Sequence, residues 1–256
     1  MEPVVKKRKL LVYIAFTVFW IVMYYAKAHS LSADDILQKI DDNMVFDSRS
    51  ATALMRIHTP EGVQEKKLVL VNRGLNKARA EFLQPPRDQG VKYLKLEKNL
   101  WMFMPSVART IKISGHMLRQ SMMGSDMSYE DSMENPRLAD DYIPKLLPSE
   151  KLGGQQVYVL SLSAKRPDLS YPAQKLWVDP ETYLPVKVEK YAVTGKLLKS
   201  ETLGNAQKFG SRHFPLYYKM VDVLRGTGGT EFILSDVKFQ VEISDAAFSL
   251  RALERR

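Results

Sequence analysis

The chain has 256 residues, of which 45% are hydrophobic and 26% charged, so it can bury a substantial core and is not intrinsically disordered. It contains no cysteine, which excludes disulfide bonds, thiol chemistry and a lipid anchor attached to cysteine. The formal net charge is +9, but residues 1–28 hold five basic and one acidic side chain, so four of the nine charges lie there. The remaining surplus is as compatible with contact with anionic lipid headgroups as with ordinary surface charge.

The N-terminus has the pattern of a secretory signal. Four basic residues, Lys6–Lys9, precede the apolar run Leu10–Ala26, and a small-x-small sequence ends at Ala28. We predict a signal peptide over residues 1–28, cut after Ala28. Because the apolar run is nearly long enough to span a bilayer, an uncleaved inner-membrane anchor is the alternative. In both cases residues 29–256 are expected to reach the periplasm, which argues against nucleic acid as a partner.

One helix is predicted ahead of a long series of strands. Ser32 and the acidic Asp34 and Asp35 form a helix start, and apolar residues then recur at helical spacing, which predicts a helix over 31–46. After this helix, apolar and polar residues alternate with a period of two between Gly- and Pro-rich turns. The first set of predicted strands is 50–59, 63–72, 77–84, 90–97, 100–105 and 107–113.

The strand pattern stops at Ser114 and is not predicted to resume until about Gln155. Prolines interrupt any helix in this insertion, which we place at 114–150. Seven of the twelve methionines lie between Met102 and Met133. Methionine suits an apolar surface that must accept variable shapes. This cluster is therefore either an ordinary core helix packed on the sheet or a movable cover over an apolar cavity.

A second set of strands completes the predicted sheet. These strands are 155–164, 173–179, 184–192, 196–208, 214–223 and 230–240, and Ser244–Leu253 forms a closing segment. About twelve consecutive strands predict one mainly β domain over 29–256, with a strongly curved antiparallel sheet or open barrel. The front helix and the insertion are available to cover its concave face, which is a usual place for an apolar ligand.

Several strings of the sequence resemble a known bacterial family. They are Gln89–Lys95, Leu100–Pro105 and Arg119–Asp131, and Leu176–Pro185 has the form of a hairpin of the same family. The chain is similar to outer-membrane lipoprotein-sorting proteins, which resemble the periplasmic carrier LolA. This resemblance implies a half-barrel of about 11–12 strands, closed by a helical lid inserted in the middle of the sheet, with acyl chains held between sheet and lid.

The resemblance favours the movable cover and implies which residues bind the ligand. The residues expected to line the acyl cavity and the lid are Trp101, Phe103, Met117, Leu118, Met122, Met123 and Tyr129. Arg109, Lys112 and Arg119 would meet a lipid phosphate or the N-terminal region of a lipoprotein at the rim of the cavity; the alternative is a solvated outer face. The family also implies a buried arginine that gates the cavity, for which Arg109 and Arg119 are the candidates.

No catalytic, metal or cofactor site is predicted. His116, Asp126, Glu130 and Asp131 form a dense polar group, and a helix would place Asp126 and Glu130 on one face as an acid–base pair. We favour helix capping by Ser125 and Asp126, with hydrogen bonds that tie the lid down. No second histidine lies near enough in sequence for a metal site. The run Gly226–Gly229 lacks the lysine of a phosphate loop and precedes a strand, so we predict a hairpin turn.

These observations predict a binding protein and not an enzyme. The leading hypothesis is a periplasmic carrier that takes the acyl chains of a lipoprotein or lipid from an inner-membrane exporter to an outer-membrane acceptor. The alternative is a lipid-sensing interaction partner of an inner-membrane exporter or regulator.

Overall fold

The computed structural model describes residues 31–255, and the predicted signal segment 1–28 lies outside the described residues. One antiparallel sheet of thirteen strands makes up most of this part of the chain, and it is open because its two edge strands do not pair. Within the same residues, no helix is long and apolar enough to span a membrane. The predicted mainly β half-barrel with an N-terminal helix is confirmed.

The strands follow one another as two meanders, in the spatial order β6-β5-β4-β3-β2-β1-β13-β12-β11-β10-β9-β8-β7. Their bounds are β1 Ser48–Thr59, β2 Gly62–Arg73, β3 Lys77–Gln84, β4 Lys92–Leu96, β5 Asn99–Met104, β6 Arg109–Ile113, β7 Tyr142–Leu152, β8 Gln155–Ala164, β9 Ala173–Val178, β10 Pro185–Tyr191, β11 Leu197–Phe209, β12 Arg212–Asp222 and β13 Gly229–Phe239. The helices are α1 Ala33–Met44, α2 Leu138–Asp141 and α3 Leu250–Glu254.

Helix α1 packs on the concave face of the second meander. Its start is a capping box, in which the Asp35 backbone N–H donates to the Ser32 hydroxyl and the Ser32 N–H donates to the Asp35 carboxylate. Ile36, Leu37 and Ile40 form one buried stripe because they share a helix face. That stripe contacts the apolar side chains of β8–β11, so one half of the concave face is covered.

Antiparallel pairing brings alternate turns to opposite ends of the strands. We call first rim the end with the connections β1–β2, β3–β4, β5–β6, β8–β9, β10–β11 and β12–β13. The second rim has the connections β2–β3, β4–β5, β7–β8, β9–β10 and β11–β12. The insertion leaves β6 at the second rim and enters β7 at the first rim. It therefore crosses the concave face from one free edge of the sheet to the other.

The convex face of the first meander is also covered, by the C-terminal tail. Phe248 and Leu253 of this tail are buried against Leu94, Phe103 and their neighbours on β2, β4 and β5. The alternate residue Met102 packs in the cluster on the concave face instead. Both faces of β5 are thus buried, each under a different part of the chain.

The insertion is shorter than predicted and contains no long helix. Residues 142–152 form the edge strand β7, although we predicted no strand there and assigned these residues to the insertion. Pro144 and Pro148 are compatible with this strand, because an edge strand bonds on one side only and therefore tolerates proline. Pro148 lies where the register between β7 and β8 shifts. Residues 114–141 contain only short 3-10 turns and the four-residue helix α2.

Candidate functional site

A cavity of about 370 Å³ lies between the insertion, the end of α1 and the concave face of the sheet. The sheet contributes side chains from β1, β2, β3, β12 and β13, and the insertion contributes Met127 and Pro136. Much of the lining is apolar, and these residues are Met44, Val45, Phe46, Leu70, Leu75, Ala78, Met127, Pro136, Met220, Phe232 and Leu234. The rest of the lining is polar or charged, and it comprises Arg49, Asn72, Gly74, Lys95, Asp131, Ser132, Glu134, Lys190, Glu201, Tyr218 and Lys219.

Arg49 is the one arginine among the described residues that line this cavity, and like the lysines Lys95 and Lys219 it has no carboxylate partner within residues 31–255. It lies on β1, where its Nη2 donates to the Asn72 side chain at 3.1 Å and its guanidinium carbon is 5.1 Å from the Phe214 ring centroid. Burial lowers the pKa of Arg49. The arginine keeps hydrogen-bond donors for a polar group that enters the cavity, because an arginine has five N–H groups.

Buried charges join the insertion to the sheet beside the cavity. The Lys190 ammonium on β10 is 2.7 Å from a Glu134 oxygen and 2.8 Å from a Glu201 oxygen. Lys199 on β11 is 3.6 Å from Asp131, which also accepts hydrogen bonds from the Ser128 backbone and hydroxyl. The two acids of the insertion thus face two lysines of the sheet. Burying such charges is costly unless they are paired, so the pairs position the insertion.

The electrostatics of these groups differ from those of surface residues. Burial raises the pKa of Glu134 to about 7, although the neighbouring Lys190 acts in the opposite direction. Burial alone would lower the pKa of Lys190, but the carboxylates around it outweigh burial and hold that pKa well above its usual range. Burial also tends to raise the pKa of Asp131, but Lys190 and Lys199 lower it overall. Asp131 is therefore a firm anion and Glu134 titrates near neutral pH.

Asp126 fastens the middle of the insertion to the β12–β13 hairpin. Its carboxylate accepts hydrogen bonds from the Thr230 hydroxyl at 2.8 Å, from the Asp222 backbone N–H at 3.1 Å and from the Thr227 hydroxyl. Its backbone N–H donates to the Thr230 oxygen at 2.9 Å. We call this group, with Arg225, the latch. Hydrogen bonds that tie the lid down were the favoured interpretation of Asp126.

Arg225 completes the latch from the same hairpin. Its guanidinium donates to the carbonyl oxygens of Gly124 and Ser125 and to the Ser121 hydroxyl. These acceptors belong to the tight turn of the insertion, where Met123 and Gly124 both have positive φ. No sequence signal indicated Arg225, because its partners lie about a hundred residues away.

The predicted residues of the insertion lie on the sheet beside the cavity. Met122 and Tyr129 are buried in the cluster of the concave face, and Met117, Leu118 and Met123 pack against it. The Tyr129 hydroxyl is 3.4 Å from that of Tyr93. The insertion therefore covers the first meander with apolar side chains, and contact of these five residues with a ligand stays a prediction.

The other predicted ligand residues are separated from the cavity. Trp101 and Phe103 lie on the convex face under the C-terminal tail, because strand alternation points them away from the insertion. Lys112 pairs with Trp101 and lies on that same face, with its ammonium 5.9 Å from the Trp101 ring centroid. Arg109 and Arg119 are exposed, so neither is the buried arginine that we expected, and the arginine that lines the cavity is the half-buried Arg49.

The residues considered for catalysis do not form a catalytic arrangement. Residues 125–130 are not helical, so Asp126 and Glu130 do not share a helix face, and the Asp126 carboxylate is used in the latch. His116 is exposed. Among residues 31–255, no group of three or more potential ligands could hold a metal ion.

Comparison with known proteins identifies relatives of the fold. A family model described only as an uncharacterized protein family matches residues 74–255. None of the curated proteins matches the chain.

Three solved structures are similar over nearly the whole described chain. An outer-membrane lipoprotein-sorting protein domain from Vibrio parahaemolyticus is 24% identical, with 88% of this chain and 98% of that chain covered and a TM-score of 0.76. A LolA superfamily protein from Nitrosomonas europaea is 26% identical, with coverages of 87% and 100% and a TM-score of 0.73. A DUF1329 family protein from Desulfovibrio piger is 23% identical, with coverages of 86% and 96% and a TM-score of 0.78.

Proposed function

We propose that the chain is a periplasmic carrier of acyl chains, on the premise that it belongs to the family whose model matches residues 74–255 and is similar in structure to LolA superfamily and lipoprotein-sorting proteins. It would take a lipoprotein or lipid from an inner-membrane exporter and deliver it toward an outer-membrane acceptor. The signal-like segment 1–28 supports export.

The cavity under the insertion is the observation that carries this proposal. Its volume of about 370 Å³ is at the lower end of the usual range for small-molecule sites, so it suits one acyl chain better than several. It is walled by Met127 of the insertion and by apolar side chains of the sheet. A larger cargo would require the insertion to move outward.

The energetics suit a carrier that must release its cargo. Transfer of an acyl chain of about sixteen carbons from water contributes roughly 12 kcal/mol at ~0.8 kcal/mol per methylene. Association costs about 4–15 kcal/mol, so the net affinity for one chain is weak to moderate. Such a ligand can cross an aqueous compartment in the cavity and still leave it.

Filling the cavity tests whether it binds acyl chains. Ala78 lines the cavity on β3, and Ala206 is exposed on β11. We expect Ala78→Trp to abolish binding of a fluorescent fatty acid, because its indole occupies the space of the chain, and Ala206→Trp to bind as the unmodified protein does. Urea unfolding of both variants checks that the fold is kept. Equal fatty-acid binding by the two variants would refute the assignment of the cavity.

The polar end of the ligand is assigned to Arg49. An arginine that donates to a carboxylate or phosphate contributes about 1.5–3 kcal/mol, which is a factor of roughly ten to a hundred in affinity. We expect Arg49→Leu to weaken binding of a fatty acid by that factor but to leave its methyl ester almost unaffected. Arg56→Leu is the matched control, because Arg56 lies on the same strand and pairs with Glu65. Equal losses for the acid and the ester would contradict this role of Arg49.

Analysis of co-purified lipid tests the carrier proposal without any variant. Protein taken from the periplasm should yield stoichiometric acyl species by mass spectrometry of a lipid extract. The proposal fails if the extract contains none and the purified protein takes up no fluorescent fatty acid.

A further inference from the structure

Exposed apolar side chains collect at the first rim. Nine large hydrophobic residues are exposed within residues 31–255, and six of them lie in the turns of this rim or within two residues of one. They are Val63, Val107, Ile143, Val193, Val223 and Leu224. Val193 is 86% exposed and Leu224 is 59% exposed, so these side chains do not pack on their own loops. Scattered exposed hydrophobics need no explanation, but a concentration at one end of a sheet does.

At the same rim, exposed cations without an ion-pair partner outnumber such acids. The exposed cations Arg109, Lys145, Lys165 and Lys196 have no ion-pair partner among the described residues, and the exposed acids there in the same condition are Glu61 and Asp140. The other acids of this rim, such as Asp168 and Asp222, are paired with cations. The unpaired surface charge of the rim is therefore positive.

We propose that the first rim is a docking surface for an anionic lipid bilayer. The apolar residues lie singly on separate turns spread across the width of the sheet, and do not line one groove. Such tips can enter the interfacial region of a bilayer individually, while a protein partner would need a continuous complementary surface. Cations beside them are attracted to anionic headgroups within a Debye length.

This surface is separate from the acyl cavity, so the inference goes beyond the proposed carrier function. Sheet residues of the cavity such as Gly74 and Leu75 lie in the β2–β3 turn at the second rim. A variant that no longer docks at the first rim should therefore still bind a fluorescent fatty acid. Ala78→Trp should still abolish that binding, and its control Ala206→Trp should still retain it. The Val223–Leu224 tip does belong to the hairpin that carries the latch, through Arg225 and Thr227.

Single labelled cysteines test which end of the molecule meets the bilayer. The chain has no native cysteine, so Val193→Cys, Val107→Cys and the second-rim control Lys98→Cys can each carry one environment-sensitive fluorophore in the full chain. Vesicles of phosphatidylethanolamine and phosphatidylglycerol should shift the emission of the first two labels to shorter wavelength and leave that of the control unchanged. All three proteins keep the same N-terminus, so any binding through that segment is common to the three labels.

Substitution of Val223 and Leu224 tests how much these apolar side chains contribute to vesicle binding. The double variant Val223→Ser, Leu224→Ser should partition into these vesicles about tenfold more weakly than the unmodified protein, whereas Leu152→Ser at the second rim should partition as the unmodified protein does. Replacing phosphatidylglycerol by phosphatidylcholine should weaken binding of the unmodified protein. Equal emission shifts at both rims, or no shift at the first rim, would overturn the proposal. A first-rim shift that appears without vesicles as protein concentration rises would also overturn it, since a second copy of the chain would then be the partner.

Discussion

The Thr230→Val variant measures how strongly the insertion is fastened to the sheet. Thr230 is fully buried, and its hydroxyl both accepts from the Asp126 N–H and donates to the Asp126 carboxylate. Valine has nearly the same shape as threonine but can do neither. The carboxylate keeps two donors on its other oxygen, so the loss is confined to one oxygen and one N–H group.

The expected cost follows from these two hydrogen bonds. A bond to a charged group contributes about 1.5–3 kcal/mol, and a buried N–H left without an acceptor costs about 1–3 kcal/mol. We expect a total near 3 kcal/mol, which would lower the melting temperature of a chain of this size by roughly 6–12 °C. Because the bonds join the insertion to β13, amide hydrogen exchange should also increase in residues 121–133.

Urea unfolding and hydrogen exchange followed by mass spectrometry give the two readouts. Thr202→Val is the matched control, because Thr202 is an exposed threonine in the middle of β11. It should change the unfolding free energy by less than about 0.5 kcal/mol. If the two variants unfold at the same urea concentration and exchange residues 121–133 at the same rate, the latch does not hold the insertion.

Three further predictions concern the buried charges and α1. Lys190→Met should lower the unfolding free energy measured in urea by about 3–5 kcal/mol, because it leaves Glu134 and Glu201 without their cation. Lys187→Met on the same strand should lower it by less than about 1 kcal/mol. Equal losses would contradict the buried pairing. The folded state keeps a proton on Glu134 up to about pH 7 that the unfolded chain releases near 4.5, so unfolding free energy should fall as pH rises through this window. Glu134→Gln should remove that slope in a pH series of urea melts, and an unchanged slope would exclude Glu134 as its source. Ser32→Ala removes the capping box and should lower unfolding free energy by about 1 kcal/mol, unless α1 is held by packing alone.

The alternation of residues predicted nearly all of the sheet because most strands are bounded by Gly or Pro turns. It failed at β7, because the prolines there were used only as evidence against a helix and the residues were assigned to the insertion. It could not assign faces on β5, since Trp101 and Met102 are both apolar and both partly buried. Which of them faces the insertion depends on the C-terminal tail, which comes from far along the chain.

The residues that define the site were hidden for a similar reason. Arg49 and Arg56 both lie on β1, and the sequence does not indicate which of them lines the cavity and which pairs with Glu65. Lys190 and Lys199 appear in sequence as ordinary solvent-facing lysines of alternating strands. They become buried only because Asp131 and Glu134 of the insertion lie over them.

The same buried charges explain how a cover can be both specific and able to open. Ion pairs gain little net free energy when they are buried, because the desolvation cost offsets much of the attraction. When the insertion lifts, water solvates Asp131, Glu134 and the lysines again, so the open state recovers that cost. A cover held only by methionines would lose its full transfer free energy on opening. We therefore expect residues 121–133 to exchange amide hydrogens at a lower opening free energy than β1, and equal protection of the two segments would exclude a separately opening cover.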